Sequence, residues 1–382
     1  MSEYQYVAFR AVDRPVSEKN LVYMRKQSTR AEITSWAFDN EYNFGDFRGN
    51  ALEMLRRGYD FHLHYANFGT RSLLIRLPGG VPDPKAAAPY LDGESLRFVK
   101  DKNGPSGILA IEPAYEPGDL EEIWDFDEWI DRLIPLRAEL LGGDLRPLCL
   151  AHLAVLRDIN HDRDEMIEAP ISFGLGNLTA AQLALADFYE IRRALIDAAA
   201  RDVPAAPQSV DSGVGLAEWI ARQPEAAKNA WLTDLVAKPD SSVRAELLAA
   251  FRQARAPQTW PTLQRSMSMA QLEAEAKEIE DEMGRKKAAA FARARAQKLA
   301  KMAQDPKPFL REAEKLVEDR STQGYAKASS LLAEIREALA GSDRADLAEA
   351  QAWKIHEKHP RLHKLTSALR QRGFLPKKAV RH

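Results

Sequence analysis

One cysteine, Cys149, occurs in 382 residues, which excludes an intramolecular disulfide and any zinc site built from cysteine pairs. No apolar run reaches the roughly eighteen residues that a membrane-crossing helix needs. The opening MSEYQYVAFRAV lacks a basic stretch followed by an apolar one, so no secretory signal is expected and the chain reads as soluble and cytoplasmic. G-x-x-x-x-G-K-[ST] and G-x-S-x-G are absent, and no cofactor is expected. The net charge is only −2, so any attraction to nucleic acid or an anionic surface must be local, and no membrane role is expected.

What is present centres on residues 263–303. No proline interrupts this stretch, and Ala, Glu, Lys, Arg, Leu, Met and Gln dominate it, predicting one helix of roughly 60 Å. Its charge is segregated. Residues 272–282 carry six acids against Lys277, whereas 285–303 carry Arg285, Lys286, Lys287, Arg293, Arg295, Lys298 and Lys301 and no acid. Leu272, Ala276, Ile279 and Met283 step by four, three and four as a short coiled-coil seam would, and the register slips after Gly284. An intramolecular lever and a dimer both fit that pattern.

Residues 1–117 read as an α+β domain with a mainly antiparallel sheet and helices on one face. Tyr4–Val12 and Glu32–Phe38 are expected strands, and helices are expected from Ser17 and from Asn50. Phe61, Leu63 and Tyr65 alternate with His62, His64 and Ala66, then Asn67-Phe68-Gly69-Thr70 turns into Ser72–Leu77, a β-hairpin. Residues 78–89 hold four prolines and two glycines and read as a loop. Another strand pair is expected around Asn103-Gly104.

Residues 118–202 read as an acidic helical subdomain packed on the sheet domain. Helices are expected at about 120–141, 145–158 and 179–200, the last opened by a Thr179/Gln182 capping box. Fourteen acids face five bases between Gly118 and Glu168. Residues 203–262 are a linker and short helices, the last over Ser242–Ala254. After the 263–303 helix, residues 304–382 form a basic helical-hairpin tail resembling a tetratricopeptide hairpin, with Gly341-Ser342-Asp343 as its turn.

Several groups could carry chemistry, each with a plainer reading beside it. His62 and His64 share one strand face, so they could hold one metal, or simply lie on a half-solvated face. Asp158, His161, Asp162, Asp164 and Glu165 form an acid-rich loop without the glycine and spacing of a calcium site. Glu41, Asp46, Asn67, Thr70 and Arg71 could line a shared pocket, or be turn residues with Phe44, Phe47 and Phe68 in the core. His356, His359 and His363 would share a helical face if Pro360 did not intervene, and HEKH is one residue short of H-E-x-x-H. Gly174–Asn177 reads as a helix-entry loop, and Cys149 as an inert buried thiol. The basic half of the long helix, with Lys354, Lys358, Arg361 and Lys364 of the tail, can meet phosphates without sequence preference. The same charge split also complements the helix dipole.

Two resemblances add to this. YQYVAFRAVDRPVSE, STRAEITSWAFDNEYNFGDFRG, YANFGTRSLLIRLP, IPLRAELLGGDLRPL and GLGNLTAAQLALADF resemble segments of a family of bacterial proteins without an assigned activity, so no reaction is implied. The similarity covers most of residues 1–255. The strand holding His62 and His64 is usually apolar in that family, which argues against a metal role for them. YAKASSLLAEIREAL and HPRLHKLTSALRQRGF resemble the helical tail of bacterial SWIM zinc-finger proteins, although the cysteine pair of the finger is missing. That similarity implies a docking or nucleic-acid-adjacent tail.

The function expected from these features is that of a non-enzymatic adaptor in a bacterial multi-protein system. It would dock partner proteins, and nucleic-acid backbone, through basic helical surfaces. The rival expectation is a metal-dependent hydrolase or nuclease using Glu41, Asp46, His62 and His64.

Overall fold

The structure, a computed structural model, describes residues 4–43, 45–102, 106–156, 167–206, 213–237, 260–265 and 267–376, with 243, 247, 250, 251 and 254 between them. The chain divides into two compact units, 1–280 and 281–382. The division falls inside the long helix, not at the 203–215 linker, of which 207–212 lie outside the described residues.

The first unit is built on a seven-stranded antiparallel sheet. Its strands are β1 (Gln5–Arg10), β2 (Glu32–Ile33), β3 (Ala37–Tyr42), β4 (Phe61–Ala66), β5 (Thr70–Leu77), β6 (Leu96–Lys100) and β7 (Gly107–Ile111), in the order β2-β3-β1-β4-β5-β7-β6. The expected hairpin is β4–β5, in the register Phe61↔Ile75 to Ala66↔Thr70. Asn103 and Gly104 lie outside the described residues, but their flanking strands β6 and β7 pair.

Helices cover both faces of this sheet, not one. Alternation along each strand gives it two apolar sides, so each needs a cover. Val7, Phe9, Phe38, Leu74, Ile108 and Ala110 face helices α1 (Glu18–Met24) and α2 (Ala51–Arg57), whose Leu21, Met24, Met54 and Leu55 are buried against them. Tyr6, Ala8, Phe61, Leu63, Leu73, Ile75, Leu109 and Ile111 face the opposite way. They meet α4 (Phe126–Leu133), α5 (Pro135–Leu141), α6 (Arg146–Val155), α7 (Ala180–Phe188) and α8 (Arg193–Ala199). The short helix α3 (Pro84–Ala87) sits where a loop was expected. Asp83 caps it through Lys85 N and Ala86 N, and Pro84 at its first position lacks only a donor that a helix start leaves unused.

Two expected helices are broken. The 120–141 segment becomes α4 and α5, separated at Ile134 before Pro135. The 179–200 segment becomes α7 and α8, because Glu190 takes a left-handed conformation, φ 49°, and the Ile191 amide closes back on the Ala186 carbonyl at 2.8 Å. The capping box is present at Thr179 and Gln182. Helices α9 (Gly213–Ala221) and α10 (Glu225–Ala237) follow, and the expected 242–254 helix lies mostly outside the described residues.

The long helix, α11 (Met269–Gln304), starts six residues later than expected. Thr262–Leu263 form β9, which pairs with β8 (Ile171–Ser172), and Ser268 and Gln271 cap the helix reciprocally. The seam residues Leu272 and Ala276 are fully buried in the first unit's core, with Ile279 against it. The seam is therefore used within the chain along that stretch. Glu273 and Glu280 pair with Arg192, and Glu275 with Arg201.

The second unit packs α12 (Lys307–Glu318), α13 (Thr322–Ala338), α14 (Leu347–Lys358) and α15 (His363–Gln371) around Val317, Leu332, Ile335, Ala352, Ile355, Leu365 and Leu369. Met302, near the end of α11, belongs to this core. Leu331, Leu332 and Ile335 of α13 share this core with Ala348, Ala352 and Ile355 of α14, while Leu347 is exposed.

Candidate functional sites

Strand pairing assembles a row of polar side chains at one end of the sheet face that α1 and α2 cover elsewhere. The β4–β5 register sets His64 opposite Ser72. Continuing the β5–β7 ladder one step sets Ser72 beside Glu112, and the Ser72 hydroxyl donates to Glu112 Oε1 at 3.0 Å. Arg97 on β6 pairs with Glu112 Oε2. On the other side, His64 Nε2 lies 3.0 Å from Gln5 Oε1, and Gln5 Nε2 donates to Asp46 Oδ1 at 2.7 Å. The Nε2 nitrogen therefore carries the imidazole proton toward Gln5. Gln5 and Ser72 are buried. Burial pulls the His64 pKa down, while Glu112 and Asp46 pull it up; the net shift is downward and favours the neutral ring.

A groove of about 290 Å³ opens over this row. His64, Ser72 and Glu112 line it, with Phe68 and Thr70 of the hairpin turn on one wall and Pro113–Tyr115 on the other. A tight approach fixes the two walls. Thr70 bridges to Ala114, and Gly69, at φ 105°, comes so near that a Cβ there would lie 2.2 Å from the Tyr115 carbonyl oxygen.

His62 does not share this setting. It is buried, not on a half-solvated face. Its ring stacks on Phe9 at 4.1 Å, and Nδ1 lies 2.9 Å from the Ala8 carbonyl oxygen. Burial, and then the neighbouring His64, push its pKa down to about 3. Among the described residues no three His, Cys, Asp or Glu side chains converge as metal ligands, so the His62/His64 pair lacks the third ligand that a metal site requires.

Of the five residues expected to share a pocket, Thr70 and Arg71 line the groove, and Glu41, Asp46 and Asn67 do not. Asp46 holds Gln5, Glu41 is exposed near Tyr4, and Asn67 Oδ1 accepts the Tyr4 amide as a turn residue. The Arg71 side chain points through the opposite face, where it is buried against Phe188, Glu121 and Glu190. Sequence reasoning found His64 and Thr70 but missed Gln5, Ser72 and Glu112. Single polar residues in apolar strands were the available signal, and only the register joins them. Asp158, His161, Asp162, Asp164 and Glu165 lie outside the described residues, as does Phe44.

Cys149 is buried as expected, its pKa pushed up to about 11 by burial. His356, His359 and His363 are divided between the end of α14 and the start of α15, so no one helical face carries all three.

The basic residues lie on the second unit. From Asp281 to Lys298 every residue of α11 is exposed, including Met283 and Phe291. Lys286 pairs with Glu282, Arg295 with Glu337, Lys298 with Glu334 and Lys358 with Glu314, while Lys364 donates to Thr322. Arg285, Lys287, Arg293, Lys301, Lys354 and Arg361 make no ion pair among the described residues. Residues 281–382 hold 23 bases and 13 acids, a net +10, which leaves residues 1–280 at −12.

No family model, curated protein or solved structure matches the chain.

Proposed function

We propose that this chain is a non-enzymatic docking protein whose 281–382 unit binds the phosphate backbone of a nucleic acid. The reading rests on the exposed 281–298 stretch of α11. There Arg285, Lys287 and Arg293 project without an ion pair among the described residues, on a unit of net charge +10. A helix that buries no face gains nothing from its own packing, so exposed cations along it are available for a partner. Their spread around the helix, among alanines and not aromatics, suits backbone contact without base stacking. The rival hydrolase lacks support, because Glu41, Asp46, His62 and His64 do not converge.

The test is a mobility shift of the full chain with duplex and single-stranded DNA and RNA across a salt series. Affinity should fall steeply with salt and vary little with sequence. Four cations, Arg285, Lys287, Arg293 and Lys301, would give a log–log slope of about −3 to −4 on duplex DNA. No shift at low salt, or a flat salt response, refutes the nucleic-acid reading and leaves an acidic protein surface as the partner to seek.

A further inference from the structure

The docking function leaves the polar row of the sheet unused. We propose that the groove over it binds a small, uncharged, hydroxyl-rich molecule the size of one sugar ring.

The row is unusual for its place. The same sheet face elsewhere carries Val7, Phe9, Leu74, Ile108 and Ala110. Gln5 and Ser72, 2% and 5% exposed, interrupt it. Buried polar groups cost stability unless they are hydrogen-bonded, and apolar residues at these positions would extend the core at no such cost. The row satisfies itself only in part. The Ser72 hydroxyl and the Gln5 amide are engaged, but His64 Nδ1 and the Thr70 hydroxyl have no hydrogen-bond partner among the described residues. Both line the groove.

The chemistry of the lining selects the ligand. The Glu112 charge is answered by Arg97, and the His64 ring favours its neutral form, so neither an anion nor a cation meets a matching bare charge. What remains is a carboxylate with spare lone pairs, a ring nitrogen that accepts, and hydroxyls that both donate and accept. Vicinal hydroxyls of a ligand satisfy such a set. Phe68 is 38% exposed at the rim and offers an aromatic edge or face to the C–H side of a ring. A volume of about 290 Å³ is at the small end of ligand sites, which fits one ring and not an oligomer or a nucleotide. The Gly69–Tyr115 approach holds the walls before a ligand arrives, which lowers the ordering cost of binding.

The experiment titrates D-ribose and D-glucose into the full chain by NMR, following the His64 imidazole, with betaine and acetate as charged controls. The expected result is saturable millimolar binding of at least one sugar, movement of the His64 resonances, and no saturation by either control. Glu112→Gln and Phe68→Ala should each weaken binding roughly tenfold, with an unchanged thermal midpoint in Phe68→Ala. Phe68 lies on the rim, so its variant keeps the test open if Glu112→Gln fails to fold. Neither sugar saturating, stronger binding of a control, or sugar binding unchanged in Phe68→Ala would each overturn the proposal. The result is independent of nucleic-acid binding, which is read on other residues by another assay.

Discussion

Arg71, 2% exposed, projects from the sheet face opposite Ser72 and His64 and meets Glu190 at 2.8 Å, 119 residues later in the chain. Glu190 also accepts the Glu121 amide at 2.7 Å, and its own backbone is left-handed at the break between α7 and α8. One ion pair thus ties the central hairpin to the helical layer at the point where a continuous helix was expected. Replacing Arg71 with Met would take the cation from the Glu190 carboxylate and the donors from the Phe188 and Glu121 carbonyls. The expected loss is about 3 kcal/mol, less if water reaches Glu190, measured as a lower urea midpoint.

His62 should make the first unit acid-sensitive. Its pKa is about 3 in the folded state against an ordinary 6.5, so the unfolded chain binds one more proton between those values. The stability that the neutral ring contributes is present above pH 6.5 and is lost as pH falls through the window toward about 3. The expected slope is about 1.4 kcal/mol per pH unit within it. His62→Phe should flatten that slope in urea melts run from pH 7 to pH 4.

Reversing charge on the exposed helix should weaken nucleic-acid binding without unfolding the protein. Arg285→Glu, Lys287→Glu and Arg293→Glu together should cut the log–log salt slope by about 3. These side chains are exposed and make no ion pair among the described residues, so the thermal midpoint should hold. Circular dichroism melts beside the mobility shift check both.

Cys149 should resist alkylation in the native protein. It is buried, its thiol pKa is raised to about 11, and the Ser172 amide points at its sulfur from 3.3 Å. Iodoacetamide at pH 8 should label it only on unfolding, read by mass spectrometry. Rapid labelling of folded protein would contradict this.

Gly69→Ala should separate the walls of the groove. The added methyl meets the Tyr115 carbonyl oxygen, and φ 105° is poor for any side chain. A loss of about 1–3 kcal/mol is expected, together with shifted amide resonances at Thr70 and Ala114.

The sequence by itself determined the local elements. Alternation in 61–77 wrote the hairpin, Thr179 and Gln182 wrote a helix start, and a proline-free run rich in helix formers over 263–303 wrote the long helix, whose start at Met269 it did not fix. Each depends on residues a few positions apart, where periodicity and capping act directly. Tertiary structure decided the rest. That both sheet faces are covered follows from which helices return to them. The polar row under the groove needs Gln5, His64 and Ser72 from three strands and Glu112 just past the end of β7, and no local pattern marks residues that meet only through register. The Leu272–Ile279 stripe is equally apolar whether its partner is a second helix or the chain's own core. Only the packing of Leu272 and Ala276 into the first unit distinguishes the two.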